Sequence, residues 1–331
     1  MPYTFDPAIC EACPFGYCFE DRRNNPVSGR KTKFRVLQRN AISCTFQSIV
    51  PGSLRDSSTS LTFDDYLRQF ALNVKQAGHK FLGEVFTLEG SALAKVEGDV
   101  LEILEGSLLW NAAVTWNRFM ASGSWESQVL RCPEHLKPDS LQQIAIVKLP
   151  RGYDATQLFS REARLQISEL EQRLSKNGQH LKLSAPDFVG VRIPATTVEA
   201  VFSTPIENLH TANVATLEQA YRILEGRISA GDLLFALAVK RTMRSDRLYQ
   251  PLYEANVLKF LVQGILKQPG FRFYAHAVSI EGADVQGHYH APSIFSLMNG
   301  EAPHRAIDRL FVTNIPSELG QAILNELPAL T

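Results

Sequence analysis

Pro186-Asp187 stands immediately before the apolar run Phe188 to Ile193, and Lys240 stands immediately after the run Leu233 to Val239. If these runs are neighbouring strands of one sheet, an acid and a lysine converge at one edge of it. Hydrolysis of a phosphodiester needs such a pair: a carboxylate to hold a divalent metal against the scissile phosphate, and an ammonium to orient the attacking water and offset developing charge. Mg²⁺ takes one or two carboxylates together with phosphate oxygens and water, which suits so sparse a set. Two further acids could complete the metal shell. Glu254 is expected in the first turn of a helix that follows Pro251, where the helix dipole favours an acid. Glu102 lies mid-way along a long apolar helix beside Leu101 and Ile103, and a buried acid needs a partner or a metal. Taken singly, Glu254 reads as a surface first-turn acid and Glu102 as part of a solvated helix face; only their joint occurrence with Asp187 and Lys240 points to a metal shell.

The stretch from Lys240 to Glu254 adds a second kind of chemistry. Arg244, Asp246 and Arg247 place two planar donor forks around one acceptor. In the major groove an arginine fork matches guanine O6 and N7, and a carboxylate accepts from cytosine N4. A dimer presenting two copies would read G and C on both strands of a palindrome. As a bare pattern Arg-x-Asp-Arg is more often a surface ion-pair cluster; four residues from a candidate catalytic lysine it becomes specific. A further basic stretch, Arg22 to Arg39, carries Arg22, Arg23, Arg30, Lys31, Lys33, Arg35 and Arg39 with no acid among them. Alone it reads as a solvated charge run.

The elements that must position these groups follow from hydrophobic pattern. Of 331 residues, 45% are hydrophobic and 34 basic residues balance 34 acidic ones, an ordinary globular composition that excludes a uniformly basic nucleic-acid coat. No apolar run is long enough for a membrane helix and the start MPYTFDPAICEAC lacks a signal-peptide pattern, so a cytoplasmic protein with no membrane partner is expected. Cys10, Cys13, Cys18, Cys44 and Cys132 are an odd number, too sparse for a disulfide framework, and are expected as free thiols. The first 60 residues read as an irregular arm with short helices. Helical spacing runs from about Phe63 to Phe86 and from Lys95 to Met120, the latter with a stripe of Val96, Val100, Ile103 or Leu104, and Leu108. Five short runs have strand character: 144–149, 188–193, 233–239, 271–278 and 309–313. Between them helices are expected at 162–175 with Gly178 as a stop, at 216–225 with Gly226 beyond it, and at 251–267 with Pro251 near the first helical position. Strands separated by helices give an α/β fold with a mixed central sheet flanked by helices. The chain is expected to divide into an N-terminal arm and helical region, 1–90, placed against DNA, and a core, 91–331, that includes the reading segment 240–260.

Asp187, a lysine after the next long strand, Arg244-Ser-Asp246-Arg247 and Glu254 together resemble the CCGG-recognising group of type II restriction endonucleases, with their PD-(D/E)xK core, and most of all its SgrAI-type branch. The likeness includes Lys240-Arg241 and the run from Arg244 to Val257, Ala94-Lys95-Val96 with Gly98-Asp99 and Glu102, Trp110-Asn111, Pro186-Asp187, Asn25-Pro26-Val27 with Arg30, and the stretch from Thr45-Phe46 to Pro51-Gly52. It covers about residues 20 to 260. The resemblance implies Asp187 as central metal ligand, Lys240 as water-activating lysine, Glu102 and Glu254 as further acids, and the Val239 carbonyl as an added metal contact. It also implies that Arg244, Asp246 and Arg247 read the CCGG core, with Arg30, Lys31 and Lys95 among the DNA-binding residues. Arg30 and Lys95 align with positions that read the outer pairs of a longer site, so CRCCGGYG is the preferred target and RCCGGY the alternative. The resemblance also implies a cut within the core, C^CGG, with four-base 5′ overhangs. Mg²⁺ is the implied cofactor, with Mn²⁺ substituting and Ca²⁺ supporting binding without cleavage. The implied partners are double-stranded DNA, a second copy of the chain or higher assemblies on DNA, and a cognate DNA methyltransferase in a bacterial cytoplasm. One departure stands out: the wider superfamily places an acid two residues before the lysine, and here that position is Ala238. Glu254 is the expected substitute.

Three rivals are in the same sequence. Pro138-Asp139 with Lys148 imitates the acid and lysine pair, but no arginine-rich reader follows it. Cys10-x-x-Cys13 with Cys18 and Cys44 has the makings of a zinc site but lacks a second paired set. His288 and His290 fit an exposed loop after Gly287 better than a ligand set. A DNA-binding protein on a nuclease fold that does not cut is the alternative from another functional class; the presence of Asp187, Lys240, Glu102 and Glu254 together speaks against it.

Overall fold

The computed structural model describes residues 19–20, 35–36, 61–82, 90–125, 131–132, 136–179, 185–193, 200–243, 248–281, 284–299 and 304–331. Within the arm, β1 (Phe19–Glu20) and β2 (Arg35–Val36) pair antiparallel. The five predicted strand runs all form strands, and all lie in one sheet in the order β3 (Ile144–Lys148), β4 (Phe188–Arg192), β5 (Leu233–Met243), β6 (Arg272–Ile280), β7 (Arg309–Val312). β4 runs antiparallel to both β3 and β5, whereas β5, β6 and β7 are parallel to one another. The sheet is therefore mixed, as the alternating pattern predicts. β5 is apolar and buried from Leu233 to Val239, which is what a strand covered on both faces requires.

Nine helices are described: α1 (Phe63–Leu82), α2 (Gly90–Ser122), α3 (Arg161–Ser175), α4 (Thr211–Gln219), α5 (Tyr221–Leu224), α6 (Tyr249–Lys259), α7 (Val285–Tyr289), α8 (Ile294–Asn299) and α9 (Pro316–Glu326). α2, with 33 residues, is about 50 Å long at 1.5 Å per residue. From Val100 to Trp110 every residue is buried, so this helix crosses the core instead of lying on it. Asparagines dock it. Asn117 accepts from the Ile144 amide (2.8 Å) and donates to the Ile144 carbonyl (2.8 Å), and Asn111 does the same for Ile206 at 2.8 and 2.9 Å. Trp116 donates to the Gln142 carbonyl. Each bond satisfies backbone at a strand or loop end that would otherwise be buried unpaired. Gly123, with φ of +73°, ends α2 in the left-handed region that favours glycine.

Three expectations are corrected in detail. The helix expected at 216–225 starts earlier, at Thr211, because His210 caps it by accepting from the Ala212 and Asn213 amides, and it breaks at Ala220 into α4 and α5. The helix expected from Pro251 starts at Tyr249 and ends as α-helix at Lys259, continuing through a π-helical stretch, Phe260–Ile265. β5 does not stop at Val239. It continues to Met243 because β6 still pairs with it, with Lys240 opposite Ala277 and Thr242 opposite Ser279. Of the expected free thiols, Cys132 is described, buried and unpaired; burial pushes its thiol up to about 12. Cys10, Cys13, Cys18 and Cys44 lie outside the described residues, and so does the zinc site they could form. Among the described residues no helix is long and apolar enough to cross a membrane.

Candidate active site

The site grows out of a mismatch in strand length. β4 begins at Phe188, opposite Leu237, so the part of β5 beyond Leu237 has no β4 backbone beside it. Asp187 fills the gap. Its carbonyl accepts the Leu149 amide of the neighbouring chain end (2.9 Å), and its side-chain Oδ2 accepts the Val239 amide (2.6 Å). Lys240 is the next residue, and its Nζ lies 3.6 Å from the same Oδ2, an ion pair too long for a direct hydrogen bond. The two runs are thus neighbours, and the acid and the ammonium meet at the rim of the sheet. Both side chains remain partly open to solvent, 19% and 17% exposed. Burial pushes the Asp187 carboxyl above the ordinary carboxylate range; the Lys240 charge pulls it down and the Glu102 charge pushes it further up.

Glu102 comes from α2 and is buried, not part of a solvated face. Its Oε2 pairs with Lys148 Nζ at the end of β3 (3.0 Å), and its Oε1 lies 3.4 Å from Arg151 Nη2, which also pairs with Asp99. Asp99, Glu102 and Glu105 follow at intervals of three and share one face of the helix. Glu105 is fully buried and meets His276 Nδ1 at 2.9 Å; His276 Nε2 lies 3.0 Å from the Thr313 carbonyl. A carbonyl only accepts, so Nε2 carries a proton and a second proton is shared between Nδ1 and Glu105. Burial pushes the Glu105 carboxyl up. For His276 burial opposes the charged ring, but Glu105 and the Thr313 carbonyl together outweigh it and raise the imidazole.

Asp187, Lys240 and Glu102 line a cleft of about 680 Å³, together with Glu97, Arg151, Val239, Arg241 and Gln250 among others; Lys148, Glu105 and His276 stand behind that lining. Arg241 closes one wall. It donates to Glu97 Oε2 (2.6 Å) and Asp64 Oδ1 (3.1 Å), and Asp64 exchanges two 3.0 Å hydrogen bonds with Asn314, so β5, α2, α1 and the loop after β7 are tied together beside Lys240. Ala238, on the lysine's side of the strand two residues earlier, is buried and offers no ligand.

Glu254 lies in the second turn of α6, not the first, because the helix starts at Tyr249. It is 2% exposed, and its Oε1 accepts from Gln250 Nε2 (2.9 Å), one turn earlier; Gln250 lines the cleft and Glu254 does not. Its charge acts on Tyr289, whose phenol is raised chiefly by burial. Lys95 stands in α2 next to the cleft-lining Ala94, its side chain outside the described residues. Arg30, Lys31, Arg244, Asp246 and Arg247 lie outside the described residues altogether. The rival pair is not a pair. Asp139 precedes β3 and accepts the Leu141 amide, while Lys148 ends β3 against Glu102. Tyr289 closes the short helix α7 where an open loop was expected, and His290 follows it exposed. Among the described residues no group of three or more His, Cys, Asp or Glu is arranged around a common ion. Lys148, Arg151, Glu97, Glu105 and His276 were not foreseen in these roles. The legible signal for Lys148 was its place at the end of the strand that precedes the Asp187 strand.

With this geometry in view, the family profile described as Cfr10I/Bse634I restriction endonuclease matches residues 57–327. The chain belongs to that family of restriction endonucleases. A curated relative, the type II restriction enzyme Cfr10I of Citrobacter freundii, is 25% identical over 188 residues, which cover 53% of this chain and 66% of that enzyme, just under two thirds of its length. Among solved structures, the Bse634I restriction endonuclease superposes with a TM-score of 0.73 at 20% identity, covering 94% of this chain and 97% of that one. A structure of the type IIF restriction endonuclease Bse634I with cognate DNA gives 0.71 at 20% identity, covering 92% and 96%. These two establish the fold: a mixed five-stranded sheet flanked by helices, shared with the Bse634I restriction endonuclease. In this chain Asp187 and Lys240 stand together at the rim of that sheet.

Proposed function

We propose that this family member is a type II restriction endonuclease that hydrolyses double-stranded DNA with Mg²⁺ at a palindrome with a CCGG core. The observation that carries the reading is the meeting of Asp187 and Lys240 at 3.6 Å inside a cleft that Glu102 also lines. The donor set suits a hard cation: carboxylate oxygens of Asp187 and Glu102 face one cleft, and their charges act on each other. Asp187 and Glu102 would hold the ion, with the Val239 carbonyl and Glu254 as further candidates. When bound, it would polarise the scissile phosphate and lower the pKa of a bound water. Asp187 is held in place by the Val239 amide, so its second oxygen is aimed without loss of rotamer freedom on binding. Lys240, anchored on a strand, presents its ammonium to the attacking water and the phosphate oxygens. Glu254 would need to exchange its Gln250 hydrogen bond to take the place left open by Ala238.

Arg244, Asp246 and Arg247 would read the core bases, and Arg30, Lys31 and Lys95 would contact DNA around them. CRCCGGYG is the target that the SgrAI-type resemblance favours, with RCCGGY as the alternative. A cut after the first C of the core on both strands would leave only two unpaired bases, so the expected four-base 5′ overhang requires the cut before that C, ^CCGG. The structure of Bse634I with cognate DNA supports a duplex as the partner. A palindromic target implies a dimer or a higher assembly, and a methyltransferase that protects host sites. Plasmid digestion with Mg²⁺, followed by sequencing of the ends, tests the whole reading: fragments ending in CCGG overhangs support it, and the flanking bases separate the two targets. Specific binding with no fragments in Mg²⁺, Mn²⁺ or Ca²⁺ would refute it and leave a DNA-binding protein that does not cut. Arg244→Ala or Arg247→Ala should lose roughly 1–3 kcal/mol of base discrimination. Equal weakening on all sequences would contradict the reader role.

A further inference from the structure

Resting on the nuclease reading above, we propose that Lys148 is a positioning residue that holds Glu102 in the metal-free site and competes with the divalent ion for that carboxylate. Asp187 and Glu102 place two negative charges in one cleft, and each ammonium sits on one of them: Lys240 on Asp187 at 3.6 Å, Lys148 on Glu102 at 3.0 Å. The Lys148–Glu102 pair is the more enclosed of the two, its side chains 12% and 11% exposed. Arg151 approaches the remaining Glu102 oxygen at 3.4 Å, so both oxygens are engaged by cations. The backbone makes the arrangement rigid. Lys148 is opposite Phe188 in the strand register, and the next amide, that of Leu149, donates to the Asp187 carbonyl, so Lys148 and Asp187 are locked to the same rim. An ion that enters this cleft and takes Glu102 Oε2 competes with the Lys148 ammonium for that oxygen, whereas one that takes Oε1 meets Arg151, which lines the cleft. Lys148 thus relieves repulsion between the two acids before the ion arrives, and weakens the ion's hold once it is there.

The test is calorimetric titration of Ca²⁺ into the protein bound to a duplex carrying its target, for wild type, Lys148→Met and Lys148→Arg. Removing the competing charge should tighten Ca²⁺ binding about fivefold, equivalent to ~1 kcal/mol. Lys148→Arg should remain close to wild type, because the charge is kept, and Lys148→Met should make no difference in a Glu102→Gln background. If Lys148→Met does not fold, Lys148→Gln carries the same expectation. Ca²⁺ affinity that is unchanged or weaker in a folded, charge-removed variant, with wild type still cutting DNA in Mg²⁺, overturns this proposal alone. Wild type that binds no Ca²⁺ and cuts nothing overturns the nuclease reading and this proposal together.

Discussion

Replacing Lys240 by Met removes one charge and keeps most of the side-chain stem, so it isolates what the ammonium does. At 3.6 Å the Coulomb attraction to Asp187 is about 5 kcal/mol gross at an effective dielectric of ~20. Water reaches both groups and Asp187 can take up a proton instead of remaining charged, so the net loss of stability should be only ~1–2 kcal/mol. The effect on chemistry should be far larger. A positioned group that orients and activates the nucleophile contributes ~10²–10⁴-fold, or ~3–5 kcal/mol of barrier. Single-turnover cleavage of a duplex containing the target should therefore fall by that factor in Mg²⁺, while Ca²⁺-supported binding of the same duplex stays within a few-fold of wild type. The pH profile adds a check with a definite sign. Burial already holds the Asp187 carboxyl above its usual range, and Lys240 pulls it down. Without Lys240 the proton competes better with the metal, so the acid limb of the residual activity should move to higher pH. A folded variant that loses less than tenfold in the cleavage step, with the acid limb unmoved, would refute the assignment.

Asp187→Asn should stabilise the metal-free protein at neutral pH. A carboxyl whose folded pKa lies above its unfolded one destabilises the fold when ionised, so the difference in melting temperature from wild type should shrink as pH falls through the range in which Asp187 protonates; a constant difference at all pH would contradict it. Gly190→Ala should cost roughly 1–3 kcal/mol by denaturant unfolding, because an added Cβ would stand 2.1 Å from Phe235 Cε1 on the adjacent strand; a change below ~0.5 kcal/mol would mean that the ring can move aside. His276→Ala should cost about 3–5 kcal/mol by leaving Glu105 buried without its partner, and Glu105→Leu combined with His276→Phe should recover much of that loss in the same unfolding assay.

The five strand runs and the long helix over 95–120 were legible because each is defined by local periodicity, which the chain carries whatever its surroundings. Asp187 and Lys240 were legible for a related reason: a polar residue at either end of an apolar run has to lie at a sheet rim. What local pattern could not supply was pairing. The chain alone does not say that β5 outruns β4, which leaves the Val239 amide to Asp187, or that β6 keeps β5 extended so that Lys240 stands inside a strand. Nor could spacing reveal that Lys148 belongs with Glu102 and not with Asp139 nine residues before it, since an ion pair between a strand end and a helix depends on how the two pack. Residue types and hydrophobic spacing determined which elements exist and which chemistry is available. Only the tertiary structure decided which charges neutralise one another, because electrostatic energy falls with distance through space and is indifferent to distance along the chain.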